Sequence, residues 1–207
     1  MLKNAGDTVY YNPVDNSLCS DYSESNSQTG VKEGCMKWYL LENRNGKKNV
    51  SIILDHNTTN YVKWNNNNSE TTIDNAKTQL ESDTSTWNIQ PRLITMNEVG
   101  NIIENPNWET TGPDGGFYLN VISPSNQFGW LHDRLSSNCT NYGCFNNDSS
   151  LDIELGYWTS TVYTNDANVK AWMVDADSSV FPEITTKNNA GIRPVITISL
   201  PLNHMMG

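Results

Sequence analysis

The chain has 207 residues, of which 36% are hydrophobic, and its 23 acidic and 13 basic residues give a formal net charge of −10. This length predicts a single domain, and the 7 tryptophans and 9 tyrosines supply burial that a disordered chain lacks. The acidic balance disfavours nucleic acid and anionic membrane surfaces as partners, because both are bound through clustered lysine and arginine. The sequence has no run of about 18 apolar residues, so we expect no membrane insertion.

Strands followed by two helices are predicted in the first half of the chain. Apolar and β-branched runs predict three strands, at residues 8–11, 36–41 and 50–54. Apolar residues at helical spacing predict a first helix over residues 72–82. A second helix is predicted to begin at Thr95, because Thr95 and Glu98 fit the capping box, in which each side chain accepts a hydrogen bond from a backbone amide.

The second half is rich in loops, with a few strands among them. Four further strands are predicted, near residues 117–122, 157–161, 169–175 and 192–200. Strands, two helices and then strands around long loops are typical of an α+β fold. We therefore expect one α+β domain over residues 1–207.

The four cysteines fall as two pairs that are close in sequence. The spacing suggests disulfides Cys19–Cys35 and Cys139–Cys144, although four cysteines allow three connectivities and free thiols are the alternative. A zinc site is disfavoured, because no C-x-x-C motif occurs and the three histidines lie far from the cysteines in sequence. Disulfides form in oxidising compartments, so the pairs predict an exported protein. We expect no cofactor.

Alternation along VKAWMVDADSSV predicts a strand with two different faces. Trp172 and Val174 would face the core, whereas Ala171, Met173 and Asp175 would form a mixed, polar face together with Asp177. An ordinary solvated sheet face would have the same spacing, so the pattern by itself does not identify a binding surface.

Three motifs carry a resemblance to a known fold. RLITMNEV at 92–99, GYWTST at 156–161 and GIRPVITIS at 191–199 resemble the C-type-lectin-like fold, in the subclass of formylglycine-generating enzymes. Within that subclass they look most like bacterial and phage variable proteins of diversity-generating retroelements. The resemblance is strongest over about residues 85–200. It implies two helices, antiparallel sheets, long loops, and N- and C-terminal strands close together.

In that variable-protein group, adenine-directed mutagenesis rewrites codons near the C-terminus while scaffold codons stay fixed. The resemblance thus implies a binding segment at about residues 157–195. Its fixed residues, called the frame residues below, would be Trp158, Trp172, Val174, Gly191, Arg193 and Pro194. The ligand-binding positions would be Tyr163, Asn165, Asp166, Asn168, Lys170, Met173, Asp175, Asp177, Ser179, Phe181, Glu183, Thr185, Lys187 and Asn188.

The function implied is that of a receptor or adhesin without enzymatic activity. It would sit outside the cell, on a cell surface or on a phage particle, and bind a protein or glycan on another cell or virion. Its surface of Tyr, Phe, Met, Asp and Asn side chains would combine aromatic anchors with adaptable polar neighbours. A cell-surface adhesin domain that is not diversified is an alternative on the same fold.

Calcium-dependent glycan binding is another alternative. Calcium prefers carboxylate and amide oxygens, which abound here, and Asp148, Asp152 and Glu154 could hold a structural ion. The sugar-binding lectins that this fold resembles carry E-P-N or Q-P-D motifs, however. The nearest sequence, Glu104-Asn105-Pro106-Asn107, has an insertion and is interpreted as a turn after the second helix.

Two enzymatic alternatives are disfavoured. A formylglycine-generating oxidase needs a cysteine pair near its C-terminal end, and no cysteine follows Cys144. Hydrolase chemistry would rely on the adjacent pairs Asp55-His56 and His132-Asp133, but neighbours in sequence do not define a catalytic triad. We therefore expect no catalysis.

Overall fold

The computed structural model describes residues 4–20, 34–110, 116–119, 127–132, 156–163, 168–175, 178–188 and 190–201. Over these ranges the chain forms two mainly antiparallel β-sheets and three helices, so the predicted α+β class is confirmed. No helix within the same ranges is long and apolar enough to cross a membrane.

One sheet has five antiparallel strands. In spatial order they are β11 (Val195–Ser199), β4 (Asn49–Leu54), β3 (Met36–Leu40), β1 (Thr8–Asn12) and β2 (Ser17–Leu18). Trp38 lies at the centre of one face, where it is fully buried and its indole donates a hydrogen bond of 3.1 Å to the Tyr11 carbonyl. The first and last strands, which the resemblance implies lie close together, share this sheet but are not adjacent, because β3 and β4 lie between them.

The other sheet has six strands. In spatial order they are β5 (Thr59–Val62), β10 (Ala190–Ile192), β7 (Tyr157–Tyr163), β8 (Lys170–Val174), β9 (Ser179–Ile184) and β6 (Phe117–Tyr118). Strands β10 and β7 are parallel, with Gly191 opposite Tyr157, and the other neighbours are antiparallel. The C-terminal third of the chain thus supplies the four central strands of this sheet.

The two predicted helices begin within about three residues of the predicted positions, and a third, short helix was not predicted. Helix α1 covers Asn75–Asp83, α2 covers Met96–Ile102, a 3₁₀ turn covers Trp108–Thr110, and a short helix α3 covers Gly129–His132. The capping box at α2 is confirmed: Thr95 Oγ1 accepts from the Glu98 amide at 3.2 Å, and Glu98 Oε2 accepts from the Thr95 amide at 2.9 Å. Burial by itself would raise the pKa of Glu98, but hydrogen bonds from Arg92 and Thr95 lower it below the ordinary value.

Hydrophobic side chains cover both faces of the six-stranded sheet. On one face Trp172 and Val174 join Ile53 and Val195 of the five-stranded sheet and the apolar residues of α2. On the opposite face Trp158 and Met173 pack with Trp64 and with Ala76 and Leu80 of α1. The central strands therefore have core on both sides.

Two strand predictions differ from the structure. The segment 192–200 is not one strand, because the chain leaves β10 at Arg193-Pro194 and enters β11 in the other sheet. Proline has no amide hydrogen to donate to a ladder, and here its carbonyl instead accepts from the Leu54 amide at 2.9 Å. Strands β2, β5 and β9 were not predicted, since their sequences are short or mixed in polarity.

The disulfide Cys19–Cys35 is confirmed. It joins the end of β2 to the start of β3 with a Cα–Cα distance of 6.0 Å. A cross-link over a loop of this length contributes about 3 kcal/mol on the chain-entropy model. The predicted Cys139–Cys144 pair and the calcium candidates Asp148, Asp152 and Glu154 lie outside the described residues.

Candidate functional site

The frame residues of the C-terminal segment are all buried: Trp158, Trp172, Val174, Gly191, Arg193 and Pro194. Trp158 donates its indole hydrogen to the Val62 carbonyl at 2.8 Å, which ties β7 to β5 across the intervening strand β10. Gly191 has no room for a side chain, since a Cβ there would lie 2.4 Å from the Thr59 carbonyl oxygen. These residues hold the segment in place from inside.

Arg193 has the most extensive hydrogen bonding of the frame residues. Its guanidinium is fully buried and donates to the carbonyls of Leu54 at 2.6 Å, Leu131 at 2.7 Å, Trp130 at 2.8 Å and Asp55 at 3.1 Å. Its Cζ also lies 5.1 Å from the centre of the Tyr157 ring, a cation–π arrangement. The side chain thus connects β4, α3 and the junction of the two sheets.

The polar face predicted for β8 is wrong for Ala171 and Met173. Ala171, Trp172, Met173 and Val174 are all at most 2% exposed. The alternation is real, but α1 and the Trp64 region cover the face that was expected to be solvated. Met173 is therefore a core residue.

Thr185 and Phe181 also differ from the exposed binding positions that were expected. Thr185 is fully buried, and its carbonyl accepts from the Asn65 amide at 3.0 Å. Phe181 lies opposite Met173 in the β8–β9 ladder and is half-buried against the same core. Thr185 is thus a structural residue at a turn, and Phe181 presents only part of its ring to solvent.

Six of the expected binding positions are brought together at one end of the six-stranded sheet. They are Tyr163, Asn168, Lys170, Glu183, Lys187 and Asn188. Strand β7 ends, β8 begins and β9 ends there, with Tyr163 opposite Lys170 and Lys170 opposite Ile184. The three strand ends bring these residues together although they are up to 25 positions apart in the chain (188 minus 163).

An asparagine-rich loop joins the same end. The Val169 amide donates to the Asn68 carbonyl at 2.8 Å, and Asn68 Nδ2 donates to Asn168 Oδ1 at 3.4 Å. Asn66, Asn67 and Asn68 are exposed. We call these three asparagines and the six residues above the polar end. Sequence reasoning did not include the loop in the site, although the run Asn65–Asn68 was a visible signal.

The polar end combines one aromatic ring, amides and charges of both signs. The Tyr163 ring packs edge-on against Trp172, with 5.9 Å between ring centres, so the protein core holds it in position. Lys187 Nζ lies 3.0 Å from both carboxylate oxygens of Glu183. Exposed asparagines add donors and acceptors in equal measure. This mixture suits contacts to polar groups of a ligand, and its two lysines and one glutamate leave a formal charge of +1.

The remaining predicted positions do not join the polar end. Asp175 and Ser179 close the opposite end of the β8–β9 hairpin, where the Asp175 amide donates to the Ser179 carbonyl at 2.7 Å. Five residues of strand separate them from Lys170, about 17 Å at 3.4 Å per residue. Asn165, Asp166 and Asp177 lie outside the described residues. The described residues among the predicted ligand-binding positions thus divide between the two ends of the β8–β9 hairpin and the protein core.

The Asp55-His56 pair belongs to a buried cluster. Asp55 Oδ1 accepts from the Tyr39 hydroxyl at 2.6 Å and lies 3.5 Å from Lys37 Nζ, while His56 Nδ1 is 3.8 Å from Oδ2. His56 is fully buried and Asp55 is 6% exposed, so a substrate has no direct access to either. Asp133 of the other candidate pair lies outside the described residues. We interpret the Asp55 cluster as structural.

The ionisation of Asp55 follows from this environment. Burial by itself would raise the pKa of Asp55, but His56, the Tyr39 hydroxyl and the Lys37 ammonium together lower it to about 2, from an ordinary 3.8. For Tyr39, burial first and then the Asp55 carboxylate raise the pKa to about 12. Asp55 is thus charged and Tyr39 protonated over the physiological range.

We expect Asp55→Asn to destabilise the protein by about 2 kcal/mol near neutral pH. The pKa of Asp55 is lower in the folded state than in the unfolded state, so its contribution is present above pH 4 and is lost as the pH falls from about 4 to 2. Urea unfolding from pH 6 down to pH 2 should show the difference between wild type and variant shrinking across that window. Tyr39→Phe, which removes one hydrogen bond to Asp55, should reproduce part of the effect. A constant difference at every pH would contradict the assignment.

The lectin-motif candidate and a metal centre do not form a site among the described residues. The segment Glu104–Asn107 forms a turn after α2, with the Asn105 amide donating to the Gly100 carbonyl at 2.8 Å, as expected. Among the residues that the structure describes, no three His, Cys, Asp or Glu side chains are grouped as metal ligands. Comparison with protein-family models, curated proteins and solved structures finds no match in any of the three.

Proposed function

We propose that the chain is a ligand-binding module with a C-type-lectin-like scaffold, and that the polar end is its recognition surface. The observation that carries this proposal is the gathering of six expected binding positions at one end, on strands whose frame residues are buried. Binding here is surface complementarity to a protein or glycan outside the cell, without catalysis or a cofactor.

The rigidity of the scaffold supports a recognition role. Strands β7 and β8 are held by core on both faces, and the polar end projects from where they stop. A surface held in this way loses little conformational entropy when it binds. Exposed substitutions at such positions usually change stability by only about 0.5 kcal/mol. The polar end therefore tolerates sequence change that the core would not.

We further propose that the polar end is diversified, as in variable proteins of diversity-generating retroelements. Asparagine codons are rich in adenine, and five of the nine polar-end residues are asparagine: Asn66, Asn67, Asn68, Asn168 and Asn188. Sequencing the neighbouring DNA for a near-copy of this region tests the idea. Differences between the gene and the near-copy should occur where the near-copy has adenine. They should fall in the codons of polar-end residues and not in those of Met173 and Thr185. Mismatches spread evenly along the gene would contradict it.

A single polar end is smaller than a standard protein interface. Nine residues bury less than the approximately 800 Å² that one partner contributes to a stable complex. We therefore expect weak single-site binding, strengthened by about 10² or more when many copies are displayed together. The Cys19–Cys35 disulfide agrees with display outside the cell.

We expect the triple variant Asn168→Ala, Lys187→Ala, Asn188→Ala to lose ligand binding while keeping its fold, because all three side chains are exposed. Binding would be measured for a multivalent form of the chain on glycan arrays and on whole bacterial cells, with circular dichroism to check folding. The matched control is Asp175→Ala with Ser179→Ala, at the opposite end of the hairpin.

The control should bind like wild type, and chelation of calcium should leave binding unchanged. Loss of binding in the control instead of the triple variant would move the site to the other end of the hairpin. Loss on chelation would favour the calcium-dependent lectin alternative.

A further inference from the structure

A groove of about 420 Å³ lies at the C-terminal end of α1, away from the polar end. Its walls include Glu81 of α1, Thr84 just after the helix, and Trp87, Asn88, Ile89 and Gln90 of the following segment. Asn75, the first residue of α1, contacts the polar end through a hydrogen bond of 3.0 Å to Asn66. The nine-residue helix thus separates the two places by about 12 Å.

The groove is preformed, because other parts of the fold hold its walls. The Trp87 ring packs edge-on against the buried Trp38, with 5.6 Å between ring centres. Its amide donates to the Thr84 carbonyl at 2.9 Å, and the Asn88 amide donates to the Pro13 carbonyl at 2.9 Å. The segment therefore keeps its shape without a ligand, and its volume lies in the range of about 300–1,000 Å³ that small-molecule sites have.

The walls combine a small apolar part, formed by Trp87 and Ile89, with a polar rim that carries one carboxylate. Trp87 and Ile89 are buried and half-buried, whereas Glu81, Asn88 and Gln90 are exposed. Gln90 donates only a long hydrogen bond of 3.4 Å to the Pro91 carbonyl, and Glu81 lies 3.9 Å from Lys77. Both side chains thus keep strong hydrogen-bonding capacity for a ligand.

The charges around the groove select against anions. No lysine or arginine is among the residues that line it, Glu81 supplies a carboxylate, and the whole chain has a net charge of −10. A neutral ring compound with several hydroxyl groups matches the walls. Its C–H groups can contact the exposed edges of Trp87 and Ile89, and its hydroxyls can reach the Glu81 carboxylate and the Gln90 carboxamide, whereas the Asn88 carboxamide already donates to the Val14 carbonyl. A cationic amine is the competing chemistry, because it would pair with Glu81.

From these observations we propose that the groove formed by α1 and residues 84–91 is a second binding site, for a neutral saccharide of one or two rings. It needs no calcium, since carboxamide and carboxylate groups contact the hydroxyls directly. This site is independent of the recognition surface at the polar end. A bound sugar would let one copy of the chain attach to a glycan surface while its polar end contacts another ligand.

The test is a set of two-dimensional NMR titrations of the ¹⁵N-labelled full chain with glucose, galactose, cellobiose and lactose. Concentrations up to about 10 mM cover weak single-site affinities. At least one sugar should shift the carboxamide signals of Asn88 and Gln90 and the Trp87 indole signal, and should leave the signals of Asn168 and Asn188 in place. Gln90→Ala should weaken that binding about tenfold.

Two further variants separate the possible outcomes. Glu81→Gln keeps a hydrogen-bonding group without the charge, so it should bind the sugar within about threefold of wild type. Thr78→Ala, on an exposed position of α1 outside the groove, is the matched control and should bind like wild type.

The proposal is overturned if no sugar shifts the groove signals or if the shifts fall on the polar end. It is also overturned if butylamine binds in the groove and Glu81→Gln abolishes that binding. Shifts on the polar end would instead support the recognition surface proposed there, and the other results do not bear on that surface.

Discussion

Replacement of Arg193 by methionine is expected to lower the free energy of unfolding by about 3–5 kcal/mol. Methionine fills most of the volume but donates none of the four hydrogen bonds that the guanidinium makes. The carbonyls of Leu54, Leu131 and Trp130 would then stay inside the protein without this donor. Leaving buried polar groups unsatisfied costs more than the net gain of an average hydrogen bond.

The geometry of arginine is the reason why lysine cannot replace it. A guanidinium offers five N–H groups in a planar fork, whereas an ammonium is a single point with three. Arg193 uses its Nε, Nη1 and Nη2 atoms to reach carbonyls of two separate segments, residues 54–55 and 130–131. Arg193→Lys should therefore also lose stability, and hydrogen exchange of the amides in α3 should become faster in both variants.

Equilibrium unfolding in urea, followed by circular dichroism, measures the effect. Lys187→Met, at an exposed residue of the polar end, is the matched control for introducing a methionine and should change stability by no more than about 0.5 kcal/mol. If Arg193→Met unfolds within about 1 kcal/mol of wild type, the guanidinium does not join the end of β4 to α3 in the way described.

Replacement of Met173 by alanine is expected to cost about 3 kcal/mol, because it leaves a cavity in a core that covers both faces of β8. Met173 is 2% exposed and packs with Trp64, Trp158 and Leu80. The neighbouring Lys170 begins the same strand but belongs to the polar end, so Lys170→Ala should change stability by about 0.5 kcal/mol or less. Comparing the two variants tests which positions of this segment accept substitution without loss of stability.

Thermal unfolding of both variants, with binding assays on cells, distinguishes a core residue from a recognition residue. Met173→Ala should lower the melting temperature and affect binding only as far as the protein unfolds. Lys170→Ala should weaken binding to cells and leave the melting temperature nearly unchanged. A fully stable Met173→Ala protein would mean that this face of β8 meets solvent, as alternation in the sequence predicts, and that α1 does not cover it.

Local signals were sufficient where neighbouring residues decide the structure. The capping box at Thr95 and Glu98 involves only one helical turn, and it is present. The Cys19–Cys35 disulfide is predictable because the two cysteines are close in sequence; β2 and β3, which they adjoin, both pair with β1. Most strands begin and end within one or two residues of the prediction, since a run of apolar residues must be covered wherever it lies.

The candidate site could be predicted only in part. The resemblance placed Met173 and Lys170 in the same list of binding positions, and alternation put Met173 on the face expected to be solvated, because alternation reports which side chains share a face and not what lies against that face. The polar end also needed the loop of Asn66–Asn68, which is about 100 residues earlier in the chain (168 minus 68). Such a distant neighbour leaves no trace in the local pattern.

The sequence by itself determined the α+β class, the start of α2, the Cys19–Cys35 pair and the core position of Trp172 and Val174. Only the tertiary structure decided that the chain changes sheets at Arg193-Pro194 and that α1 covers the second face of β8. Methionine and alanine are compatible with either face of a sheet, so their environment depends on which helix packs there. That choice minimises the exposed apolar area of the whole molecule, a quantity that no single stretch of sequence contains.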